Sequence, residues 1–329
     1  MTERGRWARL WGRLWGRSGK VAPGGRPAQG TPALGAPPRP DLNLLPVVQS
    51  LRVCAPGFAL GQGQGERRGP GAGAGLEFAE HRPYQPGDDL RHLDPHAYLR
   101  LQQLLVRTFH ADRDQELVIA LDLSGSMDAG QPRKLDHGAS VALGLAAAAL
   151  NGRDTLDLRL VTATPTRPVL GRDRSALGPL VAALSAARPG GEATVASALA
   201  GRRRRADRAV LISDVLLEDA PLLDALRALR AAGERPLLVH VLAPEDLDPG
   251  REGLLPDGEN ELIDAESGER LRAGVDRRLR EAWAAEARAW LDRVERSCQL
   301  IGVQRVCTGT RTPLPAFFSS TLRRAGLLQ

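Results

Sequence analysis

Between residues 116 and 242, short apolar runs alternate with stretches rich in Ala and Leu. Glu116–Asp122 is a continuous apolar run closed by a carboxylate, the pattern of a strand buried on both faces. Lys134–Asn151 has the length and composition of a helix, and Leu156–Val161 alternates as a second strand. Ser175–Ala187 and Val195–Arg203 read as helices, Ala209–Ile212 as a third strand, and Pro221–Ala231 as a helix with Pro near its first turn. Leu237–Leu242 closes the series as a strand. Strands separated by helices of this kind predict an α/β fold, a doubly wound and mostly parallel sheet covered on both faces.

The flanks read differently. Glu261–Asp264 and Glu269–Arg272, joined around Ser267-Gly268, predict a hairpin. Beyond it Val275, Leu279, Trp283, Ala287, Trp290, Val294, Cys298 and Ile301 lie on one stripe of a long helix, whose tryptophans read as core, and Val303–Cys307 suits an edge strand. Upstream, residues 16–75 hold runs such as Gly35-Ala-Pro-Pro-Arg-Pro and Gly61-Gln-Gly-Gln-Gly, which bury too little apolar surface to offset chain entropy. They read as a linker with one short ordered piece near Leu42–Val53. The glycines follow no strand and precede no helix, so they do not make a phosphate-binding loop. Ahead of them Trp7, Trp11 and Trp15 recur every four residues beside Leu10 and Leu14, with arginines opposite. Such a stretch suits partner docking or contact with a membrane surface, or is a frayed tail. The expected division is a disordered basic tail over 1–40, a linker and N-terminal segment over 41–115, the α/β domain over 116–245, and a C-terminal hairpin and helix packed on it over 246–329.

Charge narrows the partners. The chain of 329 residues has a net charge of +6, which invites nucleic acid. Residues 1–75, however, carry 11 Lys and Arg against 3 Asp and Glu, so the remainder is slightly acidic. A nucleic-acid footprint needs its basic charge clustered on an ordered surface, and none is expected here. Three cysteines without CxxC spacing suggest neither a disulfide framework nor a structural zinc site. Neither a membrane-spanning run nor an uninterrupted secretion signal stands out, so a cytoplasmic protein is expected.

The candidate chemistry begins where the first strand ends. Asp122-Leu-Ser124-Gly-Ser126-Met127 follows the apolar run directly, and ligands of open parallel sheets bind beyond the carboxyl ends of strands. Asp214 ends the strand Ala209–Ile212, and Thr194 lies in the loop Gly190-Gly-Glu-Ala-Thr194 before a helix. Mg²⁺ takes about six oxygens. Hydroxyls from Ser124, Ser126 and Thr194, with Asp122 and Asp214 behind them, would leave such an ion short of negative charge, and a carboxylate on another protein would complete it. The alternative is that Asp122, Ser124 and Ser126 simply cap the next helix.

The strand, the Asp-x-Ser-x-Ser motif and the later Asp resemble the metal-ion-dependent adhesion site of a von Willebrand factor type A domain. Upstream, Gly75-Leu-Glu-Phe78-Ala-Glu-His-Arg82-Pro-Tyr84-Gln-Pro-Gly87-Asp88-Asp89-Leu-Arg91-His-Leu-Asp94 resembles the signature of the bacterial domain-of-unknown-function family 58, whose members carry such a domain. The similarity spans roughly residues 41–329. Members are typically encoded beside MoxR-type AAA+ ATPases, so the resemblance implies a non-enzymatic adaptor that helps such an ATPase remodel or activate a client protein. It also implies Mg²⁺ or Mn²⁺ at Asp122, Ser124, Ser126, Thr194 and Asp214. Two departures stand out. Pro95 replaces the family's Trp, and ungapped alignment puts Ala193 where the metal-binding Thr belongs, so that Thr194 serves only if the loop shifts by one residue. Metal affinity that is weak, or absent in isolation, is therefore expected. Arg82, Tyr84, Asp88, Asp89, Arg91 and Asp94 match the signature. A turn at Gln85-Pro-Gly87 would let their charges pair, either as a brace or as a contact surface.

An enzyme reading competes. His81, His92, His96 and His110 fall close to Asp88, Asp89 and Asp94, a composition suited to a zinc or iron hydrolase using His81, His92, His96 and Asp94. Pro95, however, disfavours a continuous helix carrying His92 and His96. The Arg202–Arg205 run reads as a solvated helix end.

Overall fold

Six of the seven residues in Glu116–Asp122 are buried, as a strand covered on both faces requires. The computed structural model describes residues 19–21, 35–54, 78–86, 88–109, 115–162, 166–190, 195–199, 202, 205–215, 219–248, 257–264 and 270–329. The central sheet comprises Glu116–Asp122 (β1), Thr155–Val161 (β2), Val169–Gly171 (β3), Arg208–Ser213 (β4), Arg235–Leu242 (β5) and Gln304–Gly309 (β6), in the order β6-β5-β4-β1-β2-β3. Only β3 runs antiparallel to its neighbour. The doubly wound α/β architecture is thus present, with β6 as the edge strand expected near Val303–Cys307. β3 has three residues and no apolar run, so no periodicity announces it.

Connecting helices are Lys134–Asn151 (α1), Leu177–Ala186 (α2), Val195–Leu199 (α3), Asp219–Ala231 (α4), Pro244–Leu247 (α5) and Arg277–Leu300 (α6). α1 is buried along nearly its whole length. Its inner side meets β-strand residues such as Leu121 and Ile212, and its outer side is covered by Leu44, Val48, Phe317 and Phe318. That double cover explains its near-uniform Ala and Leu content. On the sheet's other face Leu226 and Leu229 of α4 pack with Trp290, Val294 and Cys298 of α6. The buried residues of α6 are Leu279, Trp283, Ala287, Trp290, Val294 and Cys298, the stripe read from the sequence.

Two compact units divide the chain, Met1–Ala59 with Gln115–Gln329 and Leu60–Asp114. The stretch expected as one segment over 41–115 is therefore split, because the helix Leu44–Val48 belongs to the main core. Residues 35–41, expected as tail and linker, are also ordered. Their backbone N–H groups find side-chain acceptors on the α1 side: Gly35 donates to Asp128, Arg39 to Asp136 and Asp41 to Ser140, each at 2.8 Å. Gly19–Val21, placed in a disordered tail, instead pairs antiparallel with Gly258–Asp264. The latter forms the expected hairpin with Arg270–Val275 and offers its other edge to the tail. The Trp7, Trp11 and Trp15 stretch lies outside the described residues. Among the described residues no helix is long and apolar enough to cross a membrane.

Arg202 corrects the reading of a solvated helix end. Described helix α3 ends at Leu199, and Arg202 makes two bonds, at 2.7 and 3.0 Å, to the buried carboxylate of Glu234.

The second unit contains a two-stranded antiparallel ladder, Phe78–Pro83 with Leu105–Phe109. Pro95 starts the helix Pro95–Leu101, and Asp94 caps it by accepting from His96 and Ala97 N–H. Arg82 pairs with Asp88 at 2.6 Å, and Asp88 also accepts the Gln85 N–H, so the charges of this segment do pair across the turn.

Candidate functional site

β1 and β4 are parallel neighbours, with Leu121 opposite Ile212, so both strands end at the same edge of the sheet. Asp122 therefore arrives beside Ser213 and Asp214. Its Oδ1 accepts the Ser124 N–H at 2.8 Å, turning the chain sharply, and its Oδ2 accepts the Ser213 hydroxyl at 2.7 Å. Ser124 Oγ lies 2.9 Å from Ser126 Oγ, and Ser126 Oγ donates to Asp214 Oδ1 at 3.1 Å. The Ser126 hydroxyl has one proton for Asp214 or Ser124, and the Ser124 hydroxyl has one for Ser126 or the Asp122 carboxylate. All four candidate residues are buried. Gly190 N donates to Leu123 O at 2.8 Å, which anchors the start of the loop that carries Thr194 beside the motif. Thr194 itself lies outside the described residues.

The capping alternative does not hold. α1 begins at Lys134 after Arg133, and neither it nor the single 3₁₀ turn Ser126–Asp128 receives a side-chain cap at its N-cap residue. The oxygens of Asp122, Ser124 and Ser126 point to one another and to β4.

Three residues near these oxygens had no role in the sequence reading. Lys134, fully buried, places Nζ 2.8 Å from Asp214 Oδ2 and 3.1 Å from Asp246 Oδ1. Burial works against its charge, but Asp214 and Asp246 outweigh it and hold the ammonium above its usual pKa. Asp246 also accepts the Ala243 N–H at 2.8 Å at the start of α5. Ser213, the last residue of β4, is the third. Val215, which donates its N–H to Ser213 Oγ, has φ of 54°, a left-handed conformation rare for a β-branched residue. Strain of this kind, about 1–3 kcal/mol, clusters at functional sites.

Electrostatics favour a cation. Burial and the neighbouring Asp214 charge push the Asp122 carboxyl up to about 6. Asp214 and Asp246 share a single ammonium, that of Lys134, and Asp122 feels the Asp214 charge. The oxygen spacing also suits a hard cation: adjacent vertices of an octahedron with ligands at about 2.0–2.1 Å lie about 2.9 Å apart. The observed separations are 2.9 Å for Ser124 to Ser126 and 3.1 Å for Ser126 to Asp214. These are hydrogen-bond lengths, and oxygens so spaced could also occupy adjacent vertices around Mg²⁺ or Mn²⁺.

Two buried histidines flank the site without entering it. His240 Nε2 faces the Asp214 carbonyl at 2.8 Å, and Arg305 donates to its Nδ1 at 2.9 Å. A carbonyl only accepts and a guanidinium only donates, so the Nε2–H tautomer is fixed. His137 Nε2 lies 2.9 Å from Thr308 Oγ1.

With the geometry in place, comparison with known proteins sets the family. Residues 80–292 match the family described as "Protein of unknown function DUF58". The chain belongs to the DUF58 family. Among its relatives, the uncharacterised protein Rv1480 of Mycobacterium tuberculosis is 36% identical over 248 residues, 71% of this chain and 75% of that protein. The uncharacterised protein Mb1516 of Mycobacterium bovis matches with the same values. Among solved structures, the conserved hypothetical protein BatB of Bacteroides thetaiotaomicron is similar with a TM-score of 0.40 and 14% identity, over 64% of this chain and 98% of that one. The SpRpn10 VWA domain is similar with a TM-score of 0.33 and 11% identity, over 62% and 93%. This DUF58 chain has an α/β fold built on a mostly parallel six-stranded sheet, with Asp-x-Ser-x-Ser at the end of its central strand.

The hydrolase alternative fares poorly in this DUF58 member. Among the described residues no group of three or more His, Cys, Asp or Glu is placed to hold a metal ion. His81 Nε2 pairs with Asp94 at 2.8 Å, while the other oxygen of Asp94 caps the helix Pro95–Leu101. Asp94 is thus spent on structure. His92 ends a 3₁₀ turn, Leu90–His92, and His96 lies in the separate helix beyond Pro95. His110 lies outside the described residues.

Proposed function

We propose that this protein is a non-enzymatic interaction adaptor whose binding site is completed by Mg²⁺ or Mn²⁺. Asp122, Ser124, Ser126 and Asp214 would hold the ion, with Thr194 as a fifth donor. A bound dication would supply an electrophilic centre for a carboxylate on a partner protein. The observation that carries this reading is the spacing of the Ser124, Ser126 and Asp214 oxygens at 2.9 and 3.1 Å, drawn together from two strand ends. The chain's own work would be to hold these oxygens rigidly. Ser213 fixes Asp122, and burial keeps bulk water from competing for the ion. Hydrolytic use of Ser124 or Ser126 is less well supported, since His137 faces Thr308 and His240 is held between Asp214 O and Arg305.

The resemblance to family members encoded beside MoxR-type AAA+ ATPases makes such an ATPase the proposed partner, together with a client protein, in the cytoplasm. A pull-down with wild type and Asp122→Ala, each with and without chelator, tests this. The expected result is an ATPase captured only by wild type without chelator. The same partners in all four conditions would refute the site.

A further inference from the structure

We infer that Lys134 is a tethered cation that competes with the divalent ion for Asp214 and keeps the site's intrinsic metal affinity low. This rests on the metal-site reading above. The two oxygens of Asp214 have different partners: Oδ1 accepts from Ser126, and Oδ2 lies 2.8 Å from Lys134 Nζ. An ion seated on the Oδ1 side would share one carboxylate with a full positive charge, inside a region where Lys134, Asp214, Ser124 and Ser126 are all essentially without solvent exposure. Charges interact strongly where water cannot screen them. Lys134 is also held in place. It opens α1, its N–H donates to Ala129 O, and its ammonium has a second carboxylate in Asp246, which is itself fixed by the Ala243 N–H. The ammonium therefore cannot leave for solvent when an ion enters. A carboxylate arriving from a partner would restore the negative charge that Lys134 cancels, so the ion would be retained firmly only in the complex.

Mn²⁺ titration of the full chain, read from the free-ion signal in electron paramagnetic resonance, tests this with wild type, Lys134→Met, Asp246→Asn and Asp122→Ala. The expected result is binding about tenfold or more tighter in Lys134→Met and weaker in Asp246→Asn, where the ammonium leans on Asp214 alone. If Lys134 only braces the fold, Lys134→Met binds more weakly and Asp246→Asn is unchanged, which overturns the inference. Equal affinity in wild type, Lys134→Met and Asp246→Asn, abolished by Asp122→Ala, overturns it while leaving the metal site standing. Absence of binding in all four removes both. Should Lys134→Met fail to fold, unchanged affinity in Asp246→Asn alone suffices to overturn it.

Discussion

Ser126 Oγ donates to Asp214 Oδ1 across 3.1 Å, although 88 residues separate the two in sequence. The bond links two strand ends along one edge of the proposed octahedron. Replacing Ser126 by Ala removes a donor from Asp214 and an acceptor from Ser124. It is expected to cost about 1–3 kcal/mol of stability and to weaken Mn²⁺ binding at least tenfold. Urea unfolding and Mn²⁺ titration check the two effects separately.

Arg202 and Glu234 should behave as a buried pair. Glu234 is fully buried and its two oxygens accept from the two terminal nitrogens of Arg202. Arg202→Ala leaves that carboxylate uncompensated, with an expected loss of about 3–5 kcal/mol. Arg202→Ala combined with Glu234→Leu should recover much of it. A double-mutant cycle by chemical denaturation measures the coupling.

Acid should destabilise the fold through two histidines. Burial pulls His137 down to about 4, and burial with the Arg305 charge pulls His240 down to about 3. Below about pH 6.5 the unfolded chain takes up protons at both positions that the folded chain refuses. Stability is therefore highest above that pH and falls as the pH drops, by about 2 kcal/mol per histidine at pH 5. Asp122 acts oppositely. Its carboxyl, raised to about 6, binds a proton more readily folded than unfolded and offsets about 1 kcal/mol at pH 5. Unfolding free energies at pH 7 and pH 5 should differ by about 2 kcal/mol, and His240→Gln should remove part of that difference.

Gly144 is where α1 meets its outer cover. A Cβ there would strike the Phe318 ring and approach Leu44 Cδ2 to 2.8 Å, with both neighbours fully buried. Gly144→Val is expected to destabilise by about 3 kcal/mol or more, since the core cannot yield to the added volume. Thermal unfolding tests this, and Gly178→Ala, where nothing lies within 4 Å, is the control expected to leave stability unchanged or raised.

β1, β4 and β5 were legible because burial on both faces leaves an unbroken apolar run, β2 because it alternates, and α6 because one buried stripe repeats with helical period, whereas the three-residue β3 was not. Asp122, Ser124 and Ser126 were legible because they are adjacent in sequence, and Asp214 because it ends an apolar strand. Lys134, Asp246 and Ser213 were not. A lysine opening a helix reads as a solvated end, an aspartate after Pro244 reads as a cap, and only the folded contacts show that Lys134 reaches Asp214 and Asp246 and that Ser213 reaches Asp122. Arg202 was misread for the same reason, its partner Glu234 being remote in sequence. Gly19–Val21 escaped because its pairing is set by an open strand edge elsewhere rather than by its own composition.

The central claim is that Asp122, Ser124, Ser126 and Asp214 hold a divalent ion. Crystals of the full chain grown with MnCl₂ and measured at the manganese absorption edge test it most directly. The account predicts an anomalous peak about 2.2 Å from Ser124 Oγ and Ser126 Oγ, on the Oδ1 side of Asp214. Data showing no peak there, with the four side chains ordered as described, would contradict it.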